Sequence, residues 1–359
     1  MNSGMNENNT SSGANSIDRR SIRKSRKEAE KKAKRAVKTQ YDEVFSARPV
    51  NSRPADQILS QAVKAYDAGP IARRDLKSAI ARLEATIRRG LPDLLIIRAP
   101  RSVSSKPERV GLMVFETRAI TEGNDRIITA ENHAIVLEED RLVFISGLLP
   151  GGTRPHLFER IFERSGRRRT MAEVQLQLST IWPTLLWMRT EQRSHSRGSP
   201  ILVMITPFEK GLLFGSLEKV EGLPPAGPTV AVIDRLGQQT RQLRDYYGSS
   251  DGKRLWAMTN TYVDEALLAP DQLTLRDMLK VFVQNFADVV ADNDWRWRLG
   301  LGEHDPAVDA VAQLFRLTIP SEKRRSAALA QLERIVSSDA WVSVSAKTVQ
   351  SQQRRAGRE

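Results

Sequence analysis

HAIVLEEDRLVFIS, His133 to Ser146, decides how the rest of this chain is read. Two apolar runs, HAIVL and LVFIS, stand on either side of Glu138, Glu139, Asp140 and Arg141, a four-residue polar turn. Short runs rich in Val, Ile and Phe fit strands, and a brief polar break between two of them fits a hairpin. The pairing is therefore local and antiparallel.

Upstream of the hairpin, LLIIRA (Leu94 to Ala99) and VGLMVFETRAI (Val110 to Ile120) extend the same group of strands. Downstream lies a second group: ILVMIT (Ile201 to Thr206), GLLFGSL (Gly211 to Leu217) and TVAVID (Thr229 to Asp234), with Pro224, Pro225, Gly227 and Pro228 as breaks. Short joins between these three favour antiparallel pairing again. Helical spacing appears around and between the groups. Helices are expected from about Asp56 to Tyr66, Ile71 to Arg89, Pro155 to Ser165, Met171 to Thr190, Leu275 to Ala291, Ala307 to Leu317 and Ser321 to Ser337. In the second of these, Leu76, Ile80, Leu83 and Ile87 fall on one face, Arg73, Arg74, Lys77 and Arg88 fall on others, and Gly90 reads as a left-handed cap. Strands in clusters and helices in clusters make an α+β fold of mostly antiparallel strands, not a βαβ series. The expected layout is a tail over residues 1–50, a body over 51–338 with room for two lobes divided near 150–200, and a C-terminal extension over 339–359. No internal repeat of fixed period is visible.

The tail holds most of the excess charge. The chain carries 56 Lys and Arg against 43 Asp and Glu, a net +13. Arg19, Arg20, Arg23, Lys24, Arg26, Lys27, Lys31, Lys32, Lys34, Arg35 and Lys38 oppose only Glu28 and Glu30, so one window supplies +9 of that total. Residues 1–18 are mostly Asn, Ser, Gly and Thr with little to bury, which predicts disorder. The basic window is made of good helix formers, but its apolar residues are few, and it is expected to lack a face to pack. The absence of cysteine removes disulfides, thiolate metal sites and a cysteine nucleophile. No apolar run approaches the ~20 residues that span a bilayer, and the start lacks the pattern of a secretory signal, so a cytoplasmic location is expected.

Catalytic signatures are scarce. His156 precedes Glu159 and Glu163 on one predicted helix, a trio able to act as base and orienter or to hold a cation. Arg160 and Arg164 fall at helical spacings beside them, and pairing of the carboxylates with arginine on a solvated face is the preferred account. His133 is read as a structural histidine, and Asp305 and Pro306 beside His304 as a helix start. His195 lies in a loop-like stretch. Gly151 and Gly152 in SGLLPGGT lack a phosphate-loop pattern, although a helix start beside Arg154 would suit an anion. DWRWR (Asp294 to Arg298) reads as a strand with Trp295 and Trp297 on one side, packed in the core. Glu116, Glu209 and Asp234 lie on or beside strands, as nuclease carboxylates do, without a nuclease motif. There is no HExxH, no metal-ligand spacing and no GxSxG elbow, and neither metal nor cofactor is expected.

Arg160, Arg164, Arg167, Arg168 and Arg169 form a second basic spot, since guanidinium groups grip phosphate through paired hydrogen bonds. Together with the tail it makes nucleic acid, DNA or RNA, or a nucleoprotein particle the expected partner, bound through phosphate contacts. The alternatives are a hydrolase or toxin-like nuclease acting on nucleic acid, and a scaffold whose tail binds an acidic protein or an anionic membrane surface.

Overall fold

The computed structural model describes residues 19–46, 54–66, 71–91, 94–99, 108–122, 125–165, 173–174, 203–220, 228–243, 254–299, 314 and 320–356. Most of the helices expected over Ala307 to Leu317 and Met171 to Thr190, together with His195, His304 and the Arg167 to Arg169 cluster, fall outside these residues.

The hairpin forms as the sequence implies. Strand β3 (Asp125–Glu138) pairs antiparallel with β4 (Arg141–Leu148), with Leu137 opposite Leu142, and only Glu139 and Asp140 make the loop. Arg141 Nε donates to Glu138 Oε2 at 2.5 Å across its base. On the other side of β3 lies β2 (Arg109–Glu122), fourteen residues in full register, and β1 (Leu95–Arg98) adds to β2. Strand β5 (Gly151–Thr153) touches β3 at Ile128.

The second group of strands does not make a separate sheet. Strands β6 (Val203–Phe208), β7 (Gly211–Val220) and β10 (Arg254–Val263) join through β5, which runs parallel to β10. Strands β8 (Thr229–Asp234) and β9 (Gly237–Gln242) join on the far side, through β4. One ten-stranded sheet results, in the order β6-β7-β10-β5-β3-β4-β8-β9, with β2 and β1 branching from β3. Short strand β5 is the link that local reasoning cannot supply, because its partner lies about a hundred residues away.

Alternation along the strands separates two faces. Leu112, Val114, Ile135, Leu137, Leu142, Phe144, Ala231 and Ile233 pack under helices α2 (Pro54–Tyr66) and α3 (Leu76–Gly90). The α3 stripe of Leu76, Ile80, Leu83 and Ile87 is buried there as its spacing requires. Gly90 is the last residue of α3 and has no left-handed backbone, which corrects the cap reading; a Cβ there would lie 3.1 Å from Gln61 Nε2, the end of a flexible side chain of α2.

On the other face, Met113, Phe115, Ala134, Val136, Val143, Ile145 and Val230 pack against Trp295 and Leu299. The β6, β7 and β10 part of the core is covered by α5 (Pro270–Asn285), α6 (Ala287–Arg298), α7 (Glu322–Val336) and α8 (Asp339–Ala356). DWRWR is thus the end of helix α6, not a strand, although Trp295 is buried. Its arginine has a helical reason: Arg296 and Arg325 of α7 both bind the fully buried Asp292 carboxylate. The chain after Asp339 also packs, through Trp341 and Val344, and Ser343 and Lys347 both bind Asp271 at the start of α5. No helix among the described residues is long and apolar enough to cross a membrane.

Candidate nucleic-acid interface

Helix α1 (Arg19–Ser46) is continuous over 28 residues, and it does have a face to pack. Ala33 and Val37 are buried, Glu30, Ala36 and Gln40 are half-buried, and all five share one side by 3.6-residue spacing. Val37 sits with Leu157, Phe158 and Ile161 of α4 (Pro155–Ser165), and with Ile128, Phe208, Leu213 and Tyr262 of the sheet. The expectation of an unpacked basic window is corrected: two small apolar residues one turn apart suffice when the partner helix offers Leu and Phe. The side chain of Ile22 lies outside the described residues.

Docking fixes what the opposite side displays. Lys24, Lys27, Lys31, Lys34 and Lys38 recur at spacings of three and four, Arg35 falls beside Lys34, and all six are exposed. Lys27, Glu30, Lys31, Lys34, Arg35 and Lys38 border a shallow groove of about 360 Å³. At 1.5 Å per residue the stripe from Lys24 to Lys38 runs roughly 21 Å. Lys34 is bound to Glu30 at 2.9 Å in the favourable order along the helix. That bond, with a smaller contribution from Glu159 of α4, raises the Lys34 ammonium above its ordinary pKa. Lys32 is exposed off the stripe, while the side chains of Arg19, Arg20, Arg23 and Arg26 lie outside the described residues.

The second basic spot is put to other uses where it is described. Arg164 Nη1 donates to the Tyr262 carbonyl at 2.6 Å, and its guanidinium lies 6.0 Å from the Tyr262 ring centre. Burial, then the nearby carboxylates of Asp264 and Glu209, push the Tyr262 phenol well above its usual pKa. Arg160 pairs with Glu163 at 3.0 Å. Arg160 and Arg164 thereby hold α4 together and against β10. His156, Glu159 and Glu163 share the helix as predicted, but Glu163 is taken by Arg160, and no group of three metal-ligating side chains is placed to hold an ion among the described residues.

The paired glycines do not form a phosphate loop. Gly151, Gly152 and Thr153 are buried in β5, and Thr129 Oγ1 donates to the Gly151 carbonyl at 2.6 Å. A Cβ at Gly152 would stand 2.3 Å from Ile127 Cγ2 and 2.8 Å from Trp256 Nε1, so glycine is required by crossing side chains. Thr153 is consequently a strand residue. The strand carboxylates also stay apart in the topology: Glu116 is mid-strand in β2, Glu209 turns β6 into β7, and Asp234 ends β8.

One constellation was missed by sequence reasoning. Glu116, Glu131, His133 and Ser146 meet on the face shared with Ile135 and Phe144, because Glu116 pairs with Glu131 and His133 with Ser146. Ser146 Oγ donates to Glu131 Oε1 at 3.2 Å, so the 3.0 Å contact with His133 Nδ1 has the ring N–H as donor. His133 Nε2 then lies 3.9 Å from Glu116 Oε2, and its ring stacks on Phe144 with centres 5.8 Å apart. Arg118 completes the chain by donating to Glu131. A Ser–His–carboxylate series of this kind resembles a nucleophile relay in composition. Here His133 is fully buried and Ser146 and Glu116 nearly so, which leaves a substrate no approach. The signal lay in period-two polarity, with Glu116 and Arg118 alternating on one strand and Thr129, Glu131 and His133 on the next. No protein-family model matches this chain, and no curated protein or solved structure matches it.

Proposed function

We propose that this protein binds nucleic acid, free or within a nucleoprotein particle, with the lysine stripe of α1 making the phosphate contacts. The observation that carries this reading is the docking of α1 by Ala33 and Val37, which leaves Lys24, Lys27, Lys31, Lys34, Arg35 and Lys38 exposed along one line. A flexible basic tail pays ordering entropy on binding, whereas a docked helix presents its charges already aligned. Lysine heads on one side of a rigid rod contact phosphate oxygens and release counterions. The body holds the rod in place through α4, and Arg164 secures α4 to β10.

The test is a salt titration of binding to mixed-sequence nucleic acid, comparing the unaltered chain with the K24Q/K27Q/K31Q/K38Q variant. Four lost contacts should flatten the log affinity against log salt slope by about 3.6 on duplex, at about 0.9 per phosphate. Equal slopes for the two proteins would remove α1 from the interface.

A further inference from the structure

The geometry points to duplex nucleic acid, held through its phosphates without sequence readout, as the ligand class of the α1 stripe; this inference rests on the function proposed above. Three features of the stripe lead there. Docking against α4 holds it as a preformed row about 21 Å long, and a duplex likewise presents its phosphates on a stiff, preformed scaffold. Roughly six base pairs lie along that length of duplex, at 3.4 Å each, and both backbones bring phosphates near it. A single strand would have to be ordered along the rod, at an entropic cost that needs an offset.

The usual offset is stacking of bases on aromatic side chains. The sequence from Arg19 to Gln40 contains no Phe, Trp or Tyr. Bidentate reading of adenine uses Asn or Gln, and none occurs between Lys24 and Thr39. What remains is a row of ammonium groups, point charges suited to backbone contact, and the Arg35 guanidinium, whose fork grips phosphate. Lys34 is partly occupied by Glu30 at 2.9 Å, which leaves Lys24, Lys27, Lys31, Arg35 and Lys38 as five phosphate contacts.

Five contacts give a quantitative expectation. The salt slope is about −4.5 on duplex and about −3.5 on single strand, from about 0.9 and 0.7 per phosphate. If the two lines meet near 1 M, duplex binds about tenfold tighter at ~0.1 M salt.

The experiment uses the full chain with three probes: a random-sequence 25-base-pair duplex, an oligothymidine strand of the same length, and poly-glutamate of matched charge. Affinity is followed by fluorescence anisotropy across a salt series, and a second duplex of unrelated sequence checks readout. The inference expects the duplex to bind about tenfold tighter than the strand near 0.1 M salt, with the two duplexes alike within a few-fold. Oligothymidine bound equally or more tightly, or tenfold discrimination between the two duplexes, would overturn duplex binding without readout while leaving nucleic-acid binding intact. Poly-glutamate bound as tightly as the duplex would instead make an acidic protein the partner. Failure of all three probes to bind in a salt-dependent manner would remove the proposed function itself.

Discussion

Gly152 occupies a point where Ile127 and Trp256 both cross β5, and nothing larger than hydrogen fits between them. In sequence it sits in a Pro-Gly-Gly run that invites a loop, yet the strand forms because β3 and β10 lie on either side of it. Replacing Gly152 with Ala forces side chains off their packed positions, a change worth about 1–3 kcal/mol of stability. Urea unfolding of Gly152→Ala should register that loss, while the salt dependence of the proposed nucleic-acid binding stays as it was. A variant of full stability with weakened binding would restore the phosphate-loop reading. Close by, the series from Arg118 through Glu131 and Ser146 to His133 places a polar strip beside an apolar sheet face. Leaving any member of such a buried series unsatisfied costs roughly 1–3 kcal/mol, so its members depend on one another.

At the scale of the element, α1 is the clearest case of a helix whose behaviour depends on its neighbour. Taken alone it is highly charged with a thin apolar stripe, and isolated helices of that kind are marginal. Val37, 2 % exposed, makes the difference by entering the cluster of Leu157, Phe158 and Ile161. Val37→Asp puts a charge into that cluster and should release α1 while leaving the sheet folded. Limited trypsin digestion would then cut faster within 24–38, and the proposed nucleic-acid affinity would fall because aligned charges become a flexible chain. Unchanged cleavage would mean that α1 is held by something other than the α4 contact.

For the molecule as a whole, three carboxylates tie separate elements together. Glu84 joins α3 to β1; burial opposes its ionisation, but hydrogen bonds from Arg98 and Arg88 hold it below its ordinary pKa. Asp271 joins α5 to α8, lowered by Lys347 and then Ser343. Asp288 joins α6 to α7, where burial is outweighed by Arg324 together with backbone hydrogen bonds. A carboxyl with a lowered folded pKa contributes stability that is complete above its unfolded value, about 4, and is lost as pH falls through the folded value. The net charge of +13 grows over the same range and adds repulsion. The urea midpoint should therefore be level from about pH 7 to 5 and drop below about pH 4, with a shallower drop in Asp271→Asn. Stability independent of pH down to about 2 would show that these ties contribute nothing.

Much of this protein is local and so was legible in its residues. The β3–β4 hairpin, the α3 stripe, the helix that is α7 and the α+β class each follow from local spacing and residue type. The charge of α1 was equally plain, since eleven basic residues crowd one window. What tertiary structure alone decided are the contacts between segments far apart in the chain. They include the joining of both strand groups into one sheet through β5 and β4, the helical state of Trp295 and Arg296, and the meeting of Glu116 with His133 and Ser146. They also include the side of α1 that faces inward. Periodicity tells which residues share a face; which face is buried depends on the partner surface, and that is set only when Leu157 and Phe158 of α4 close over Val37.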